Sequence, residues 1–457
     1  MVDPSDSGRA TAWLWCRVAI NPGYTGCIHG GATVSFVAEW KVTDYCDHVT
    51  FYDPRDPRWS VNPGPMFDEI REKAPIHRSP NNHWVISRHA DSLAVLRSSV
   101  ASADSLHVEP GKEPLSFDDR RREERQQMIA SGEDNRPFLF RDAPDHTRLR
   151  GLVQKAFTPR RVNEMEGFVT NAARGMIRRH LDGGTFDAVH ELAWSLPVAV
   201  ICEMLDIPAS DHESFQNQSA LLARGLDPDF LLSAEEKRDR DAAVEHFIVY
   251  FHQLFEERRR APGSDLLSAL VAAHDGGDAL THGELISTAI LLLVAGHETT
   301  MNLISGSLLA LARDQEAQQV LRAEGVTRTA VDELLRFVSP VQLTGRTMLD
   351  DIEIGDGITL DKGSWTMVLL GAANRDPAVF DDTTRLNLRR EPNPQLGFGF
   401  GMHHCLGAPL ARLEVQVVLR ELLAVSTDWN IMTEEIRYRP NIVLRGMESL
   451  PLSLIPS

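Results

Sequence analysis

The sequence has no cysteine pair at CxxC spacing, and its five cysteines (Cys16, Cys27, Cys46, Cys202, Cys405) are an odd, scattered set. That pattern excludes a disulfide framework and a cysteine-held iron–sulfur cluster. Long apolar runs are also missing. The longest, Ala289–Gly296, stops at His297, well short of the roughly 18 residues needed to cross a bilayer. The first residues, with Asp3, Asp6, Arg9 and Arg17, lack the cationic start and apolar core of a signal peptide. Positive charge is scarce: 47 Lys and Arg against 65 Asp and Glu give a net charge of −18. Recognition of nucleic acid or an anionic membrane through bulk charge is thereby excluded. No GxSxG, P-loop, GxGxxG or complete HExxH occurs, and no repeat, so hydrolase and nucleotide-binding signatures are lacking. The chain of 457 residues, 42% hydrophobic and 25% charged, reads as an ordinary globular protein of a reducing, cytoplasmic compartment.

Residues 1–45 form an irregular extension, disordered or left by an upstream start codon, with Gly23, Gly26, Gly30 and Gly31 among Trp13, Trp15 and Trp40. A single catalytic domain is expected over 46–457. Trp84–Ile86 reads as a strand running into a helix over 90–96, followed by a long polar segment, 102–141, with the character of a lid. A second lid is expected near 208–235. Helical periodicity dominates from Thr147 to Leu335, over 162–181, 234–260, 264–274 and 283–313. The last opens on a capping box, Thr281 with Glu284. Ile352–Ile354 and Ile358–Leu360 flank the turn Gly355-Asp356-Gly357 and, with Trp365–Leu370, predict a small β-meander. A helix follows over 406–423. The fold class is mainly α with a small β component.

Phe398-Gly399-Phe400-Gly401-Met402-His403-His404-Cys405-Leu406-Gly407 carries the strongest chemical signal. One cysteine sits in a glycine loop just before a helix, where the helix start favours a thiolate and lowers its pKa. Two glycines at fixed offsets from a given cysteine arise by chance in about 0.5% of cases. A buried, inert thiol is the plain alternative. Zinc is another, but adjacent His403, His404 and Cys405 cannot converge on one ion. The second signal is mid-helix, Ala295-Gly296-His297-Glu298-Thr299-Thr300. Glycine there costs about 1 kcal/mol, and a threonine one turn beyond Ala295 can bond back to its carbonyl and widen the helix for a ligand. A buried helix with a satisfied threonine is the competing reading.

These motifs, with Glu333-Leu334-Leu335-Arg336, resemble the cytochrome P450 haem-thiolate monooxygenases in order and spacing from about residue 50 to the C-terminus. The resemblance implies a P450-like fold with haem b between the long central helix and the helix after the cysteine loop. It makes Cys405 the axial ligand of the haem iron, in the pattern FxxGxxxCxG, with Phe398 and Gly407 beside the cofactor. Ala295 becomes a cofactor contact, and Glu298 and Thr299 the acid–alcohol pair that delivers protons. Glu333 and Arg336 become a structural salt bridge closed by an arginine of the next loop, Arg385. His146 and Arg150, one helical turn apart, with Arg346 and His403, become the holders of the haem propionates. Thr383-Thr384-Arg385-Leu386-Asn387 departs from the Pro-x-Arg-Phe-Asp pattern of relatives, which bears on the Arg385 assignment.

The implied activity is insertion of one atom of O₂ into an apolar, medium-to-large small molecule, by hydroxylation or epoxidation. Leu291, Val294, Val341 and Gln342 are expected to line the substrate pocket. With no flavin or iron–sulfur motif present, electrons come from NAD(P)H through a ferredoxin and its reductase. These dock near Cys405 on the charge of Arg412, Arg150 and His404. A haem-binding sensor would have no use for Glu298 and Thr299, and a haem-free helical hydrolase would need a nucleophile and base that the sequence lacks.

Overall fold

A single helix organises the molecule, and its own sequence explains where it begins. In the computed structural model, which describes residues 52–457 apart from short stretches (the longest 113–122 and 275–279), the capping box forms. The Glu284 amide donates to Thr281 Oγ1 at 3.1 Å and the Thr281 amide to Glu284 Oε2 at 2.8 Å. The extension expected over 1–45 lies outside the described residues.

The helices that position the site are α1 (Asp145–Ala156), α2 (Glu166–Arg178), α3 (Ser195–Leu205), α4 (His212–Arg224), α5 (Ala234–Arg260), α6 (His282–Ala312), α7 (Arg328–Val338) and α8 (Ala408–Val425). α6 packs against α3, α4, α5, α7 and α8, so it is apolar on nearly every side. Leu293, Met301 and Leu311 are fully buried, each worth about 1.5–3 kcal/mol. The helical run expected over 162–181 is broken at Met165, where the helix Pro159–Glu164 ends and α2 starts.

The strands are β1 (Ile76–Arg78), β2 (Trp84–Ile86), β3 (Ala101–Ser102), β4 (Thr185–Asp187), β5 (Thr344–Met348), β6 (Ile352–Ile354), β7 (Ile358–Leu360), β8 (Trp365–Val368), β9 (Ser426–Ile431) and β10 (Pro451–Pro456). The hairpin β6–β7 forms as expected, but the meander does not. β8 leaves the hairpin to pair in parallel with β2 and antiparallel with β5, in the order β1-β2-β8-β5-β3. Distant pairing of this kind leaves no local sequence signal. Gly345 in β5 has no alternative: a Cβ there would lie 1.8 Å from the Trp365 ring. That close approach sets Arg346 beside it, against the interior. β4, β10 and β9 form a second sheet.

The segment leading into α1 is held by charge. Buried Arg141 reaches Glu284 Oε1 at 3.2 Å, and Arg148 reaches the same oxygen at 2.5 Å. Burial alone raises the Glu284 pKa, but Arg148, the Thr281 amide and Arg141 outweigh it and hold the carboxyl below its ordinary range. A depressed carboxylate stabilises the fold in full above its unfolded pKa, near 4.5, and that contribution is lost as pH falls through the folded value. Proteolysis of the 134–148 segment is therefore expected to accelerate below about pH 4.5. Arg148→Ala should accelerate it already at neutral pH. Equal cleavage rates for the two proteins across that range would contradict the anchor.

Candidate functional site

Two glycines with φ of +67° (Gly399) and +71° (Gly401) shape the loop that carries Cys405, a region closed to most residues with a Cβ. At Gly401 a Cβ would also sit 2.6 Å from the Leu96 carbonyl oxygen. The Cys405 amide donates to the Phe398 carbonyl at 2.9 Å and closes the loop. α8 then starts at once, and the amides of Gly407 and Ala408 hydrogen-bond to the sulfur.

The lowered thiol pKa expected from sequence is not found. Burial in the protein body pushes the Cys405 thiol up, and Gly407, Arg150, Ala408 and Arg412 recover only part of the shift. The accessible surface of Cys405 belongs to an internal cavity, which explains how a solvent-accessible sulfur is also a desolvated one. A metal ion bound at the sulfur would supply the missing stabilisation, since a metal-bound thiol is deprotonated outright.

The cavity holds about 670 Å³. Cys405, Gly407, Leu410 and Phe398 line the cavity, with Ala295 and Thr299 of α6 and with Leu291, Val294 and Val341. Gln342 does not line it. Its amide nitrogen is turned to the Ser339 carbonyl, and its side chain is buried. The Thr299 hydroxyl faces the cavity and donates to the Ala295 carbonyl at 2.9 Å. Its neighbour does not share that view, because successive residues of a helix point about 100° apart. Glu298 is 1% exposed and lies outside the cavity lining. Arg439 Nη1 donates to its two oxygens at 2.9 and 3.1 Å, while Arg439 Nη2 donates to Asn302 at 2.7 Å. Direct proton delivery from Glu298 into the cavity is therefore not open in this conformation.

Cationic and imidazole groups converge on one edge of the same space. Arg346 is buried and donates only to uncharged partners, Thr344 Oγ1 at 3.1 Å and the Gly345 carbonyl at 2.6 Å. Burial pushes its pKa down to about 10. The His403 ring lies 4.2 Å from that of His146, and neither nitrogen of buried His146 has a partner. Arg150 Nη2 donates to the His404 carbonyl at 2.6 Å. Burial, with Arg346, His146 and Arg150 around it, pushes His403 down to about 3. Among the described residues no carboxylate forms an ion pair with Arg346 or His146, and Asp142 acts on both only through its field; orphaned donors in such a positive field suit a ligand carrying carboxylates. A thiol in a flat glycine loop suits an iron porphyrin. The residues present fit haem b, whose two propionates would supply the missing charge.

Behind the cavity, Arg336 chelates Glu333 at 2.7 and 2.8 Å, both fully buried. Arg385 does not close this pair. Its side chain is 72% exposed and faces Glu316 and Asp382, because the departed loop turns it outward and offers only its carbonyl to Arg336. Arg390 takes the place, with Nε 3.0 Å from Glu333 Oε2. The Asn387 amide adds a bond at 3.0 Å. Arg412, expected as free positive charge, is tied to Asp332 at 2.8 Å beneath the Phe398 ring.

Four further residues escaped the sequence reading. Arg439 and Arg390 sit in stretches without periodicity, so nothing local marks them. Glu414 lines the cavity from α8, with one carboxylate oxygen unpartnered and burial raising its pKa well above normal. It falls on the Gly407–Ala411 stripe at i+7 and i+3, a polar residue on an apolar face that the pattern could have flagged. Asp227, at the end of the α4 turn, also lines the cavity and accepts from the amides of Ile442 (3.1 Å) and Val443 (3.0 Å).

The sequence profile of the cytochrome P450 family matches residues 111–425. The polyketide biosynthesis cytochrome P450 PksS of Bacillus subtilis is 34% identical over 419 residues, covering 88% of this chain and 98% of that protein. Its solved structure superposes with a TM-score of 0.78 over 89% of this chain and all of that one. The vitamin D(3) 25-hydroxylase of Pseudonocardia autotrophica is 34% identical over 86% of this chain and 94% of its own. The ligand-free structure of CYP164A2 from Mycobacterium smegmatis is 39% identical, with a TM-score of 0.78 over 88% and 98% of the two chains.

The chain belongs to the cytochrome P450 family. It is a haem-dependent monooxygenase that inserts one atom of O₂ into a small-molecule substrate, with electrons from a separate redox partner. Among the described residues no helix is long and apolar enough to cross a membrane.

Proposed function

We propose that Cys405 is the axial thiolate, that Arg150, Arg346, His146 and His403 hold the two propionates, and that Ala295, Phe398 and Gly407 bound the porphyrin. The observation that carries this is the convergence on one cavity of a desolvated sulfur and buried basic groups that form no direct ion pair with a carboxylate among the described residues. Bound there, the haem supplies oxygen activation, since thiolate donation favours O–O cleavage over reversible O₂ binding.

The chain's own part is positioning and proton handling. Thr299 Oγ1 spends its proton on the Ala295 carbonyl and keeps its lone pairs toward the cavity, so it can accept a proton and pass one on. Glu298 serves from behind α6: once Arg439 releases it, its carboxylate would take up a proton from solvent and pass it toward Thr299. Leu291, Val294 and Val341 exclude water from the reacting carbon. Thr299→Ala is expected to lower product per electron by about 100-fold, the low end for a lost proton-transfer group. Peroxide release should rise to match. Unchanged product per NAD(P)H would contradict the role.

The apolar lining of the cavity, and the names of the polyketide and vitamin D(3) relatives, support an apolar, medium-to-large substrate. Electrons come from a ferredoxin and its reductase in the cytoplasm, docking where Arg150 and His404 flank Cys405. Residues 46–457 constitute the catalytic domain. The test of the whole reading is the reduced, carbon monoxide-bound absorption spectrum. A far-red Soret maximum is expected, and its absence from folded, haem-loaded protein would overturn the ligand assignment.

A further inference from the structure

His297 stands between Gly296 and Glu298 in the turn of α6 that carries Thr299, yet it points away from the cavity. It is fully buried. Its Nδ1 lies 3.0 Å from the Leu293 carbonyl and its Nε2 3.2 Å from Ser219 Oγ, a buried hydroxyl on α4. A carbonyl can only accept, so Nδ1 carries the proton and Nε2 accepts from Ser219. Burial disfavours the charged ring and holds it in this neutral tautomer.

The geometry has two halves. On the inner face Thr299 bonds back to the Ala295 carbonyl, and on the outer face His297 bonds back to the Leu293 carbonyl. A threonine hydroxyl that engages a carbonyl four residues back bends a helix, and both bonds span Gly296, which adds no side chain of its own. The turn is therefore soft, and its shape depends on what pulls at each face. The outer pull comes from α4, whose C-terminal continuation Gly225–Asp227 lines the cavity roof.

We infer that Ser219 and His297 are positioning residues that couple the placement of the cavity roof to the Thr299 turn. Movement of α4 is transmitted through the Ser219–His297 bond to the Leu293 carbonyl, and from there to the orientation of the Thr299 hydroxyl. The inference rests on the role proposed for Thr299.

The test uses holoenzyme without substrate. The reduced protein is mixed with O₂, and the absorbance decay back to the ferric spectrum is timed, normalised to the carbon monoxide band. Ser219→Ala and His297→Leu are expected to quicken the decay about fivefold, the lower range of coupling between sites. His297→Gln keeps an acceptor near the Nε2 position and should stay within about twofold of wild type. Thr299→Ala, run in parallel, should quicken the decay as well. The double variant Ser219→Ala/Thr299→Ala should decay no faster than Thr299→Ala alone, because the first residue acts through the second. A merely structural bond would give multiplied effects in the double variant, and that result overturns the inference. Wild-type decay in Ser219→Ala alongside fast decay in Thr299→Ala overturns the link alone. Wild-type decay in Thr299→Ala removes the Thr299 reading and the link with it. Since Ser219→Ala removes a single hydroxyl, it keeps the test open if His297→Leu does not fold.

Discussion

Glu333→Ala is expected to destabilise the protein by about 3–5 kcal/mol, the cost of leaving buried charge without its partner. The carboxylate neutralises two guanidinia, Arg336 and Arg390, and also accepts from the Asn387 amide and the Asn393 side chain. Its loss strands both cations in the interior and releases the loop that leads to Cys405. Urea unfolding should show the midpoint shift, and haem content after purification should fall with it. Arg385→Ala, at an exposed position, should stay within about 0.5 kcal/mol of wild type. Comparable losses in Arg385→Ala and Arg390→Ala would restore the discarded assignment.

Cys405→Ser should abolish the far-red carbon monoxide band and cut monooxygenase turnover by more than about 10²–10³-fold, the cost of removing one preorganised electrostatic group. Cys202→Ser is the matched control. That thiol is fully buried on α3, and burial with Asp211 nearby pushes it up to about 12, so it is inert and its replacement should leave the spectrum intact. A retained far-red band in Cys405→Ser would require another sulfur ligand.

The parts of the molecule that were legible in sequence are those determined locally. The capping box at Thr281, helix α5 over 234–260 and the turn at Gly355–Gly357 each follow from neighbouring residues. The cysteine loop was legible because glycines at fixed offsets are rare. What was missed depends on partners far along the chain. Arg390 reaches Glu333 across 57 positions and Arg439 reaches Glu298 across 141, separations at which spacing carries no information. The same holds for β8, whose parallel partner β2 lies far back along the chain. The thiol pKa of Cys405 was misjudged for another reason: the helix start was visible, but the desolvation that outweighs it is a property of the folded body.

The carboxylate of Asp227 joins the 225–229 stretch to the amides of Ile442 and Val443, and all of these residues border the cavity. Two recognition elements more than 200 positions apart therefore travel as a unit. A campaign to redirect this enzyme to new substrates gains little by diversifying either stretch alone; libraries that vary both together, with the aspartate retained, sample shapes the scaffold can hold.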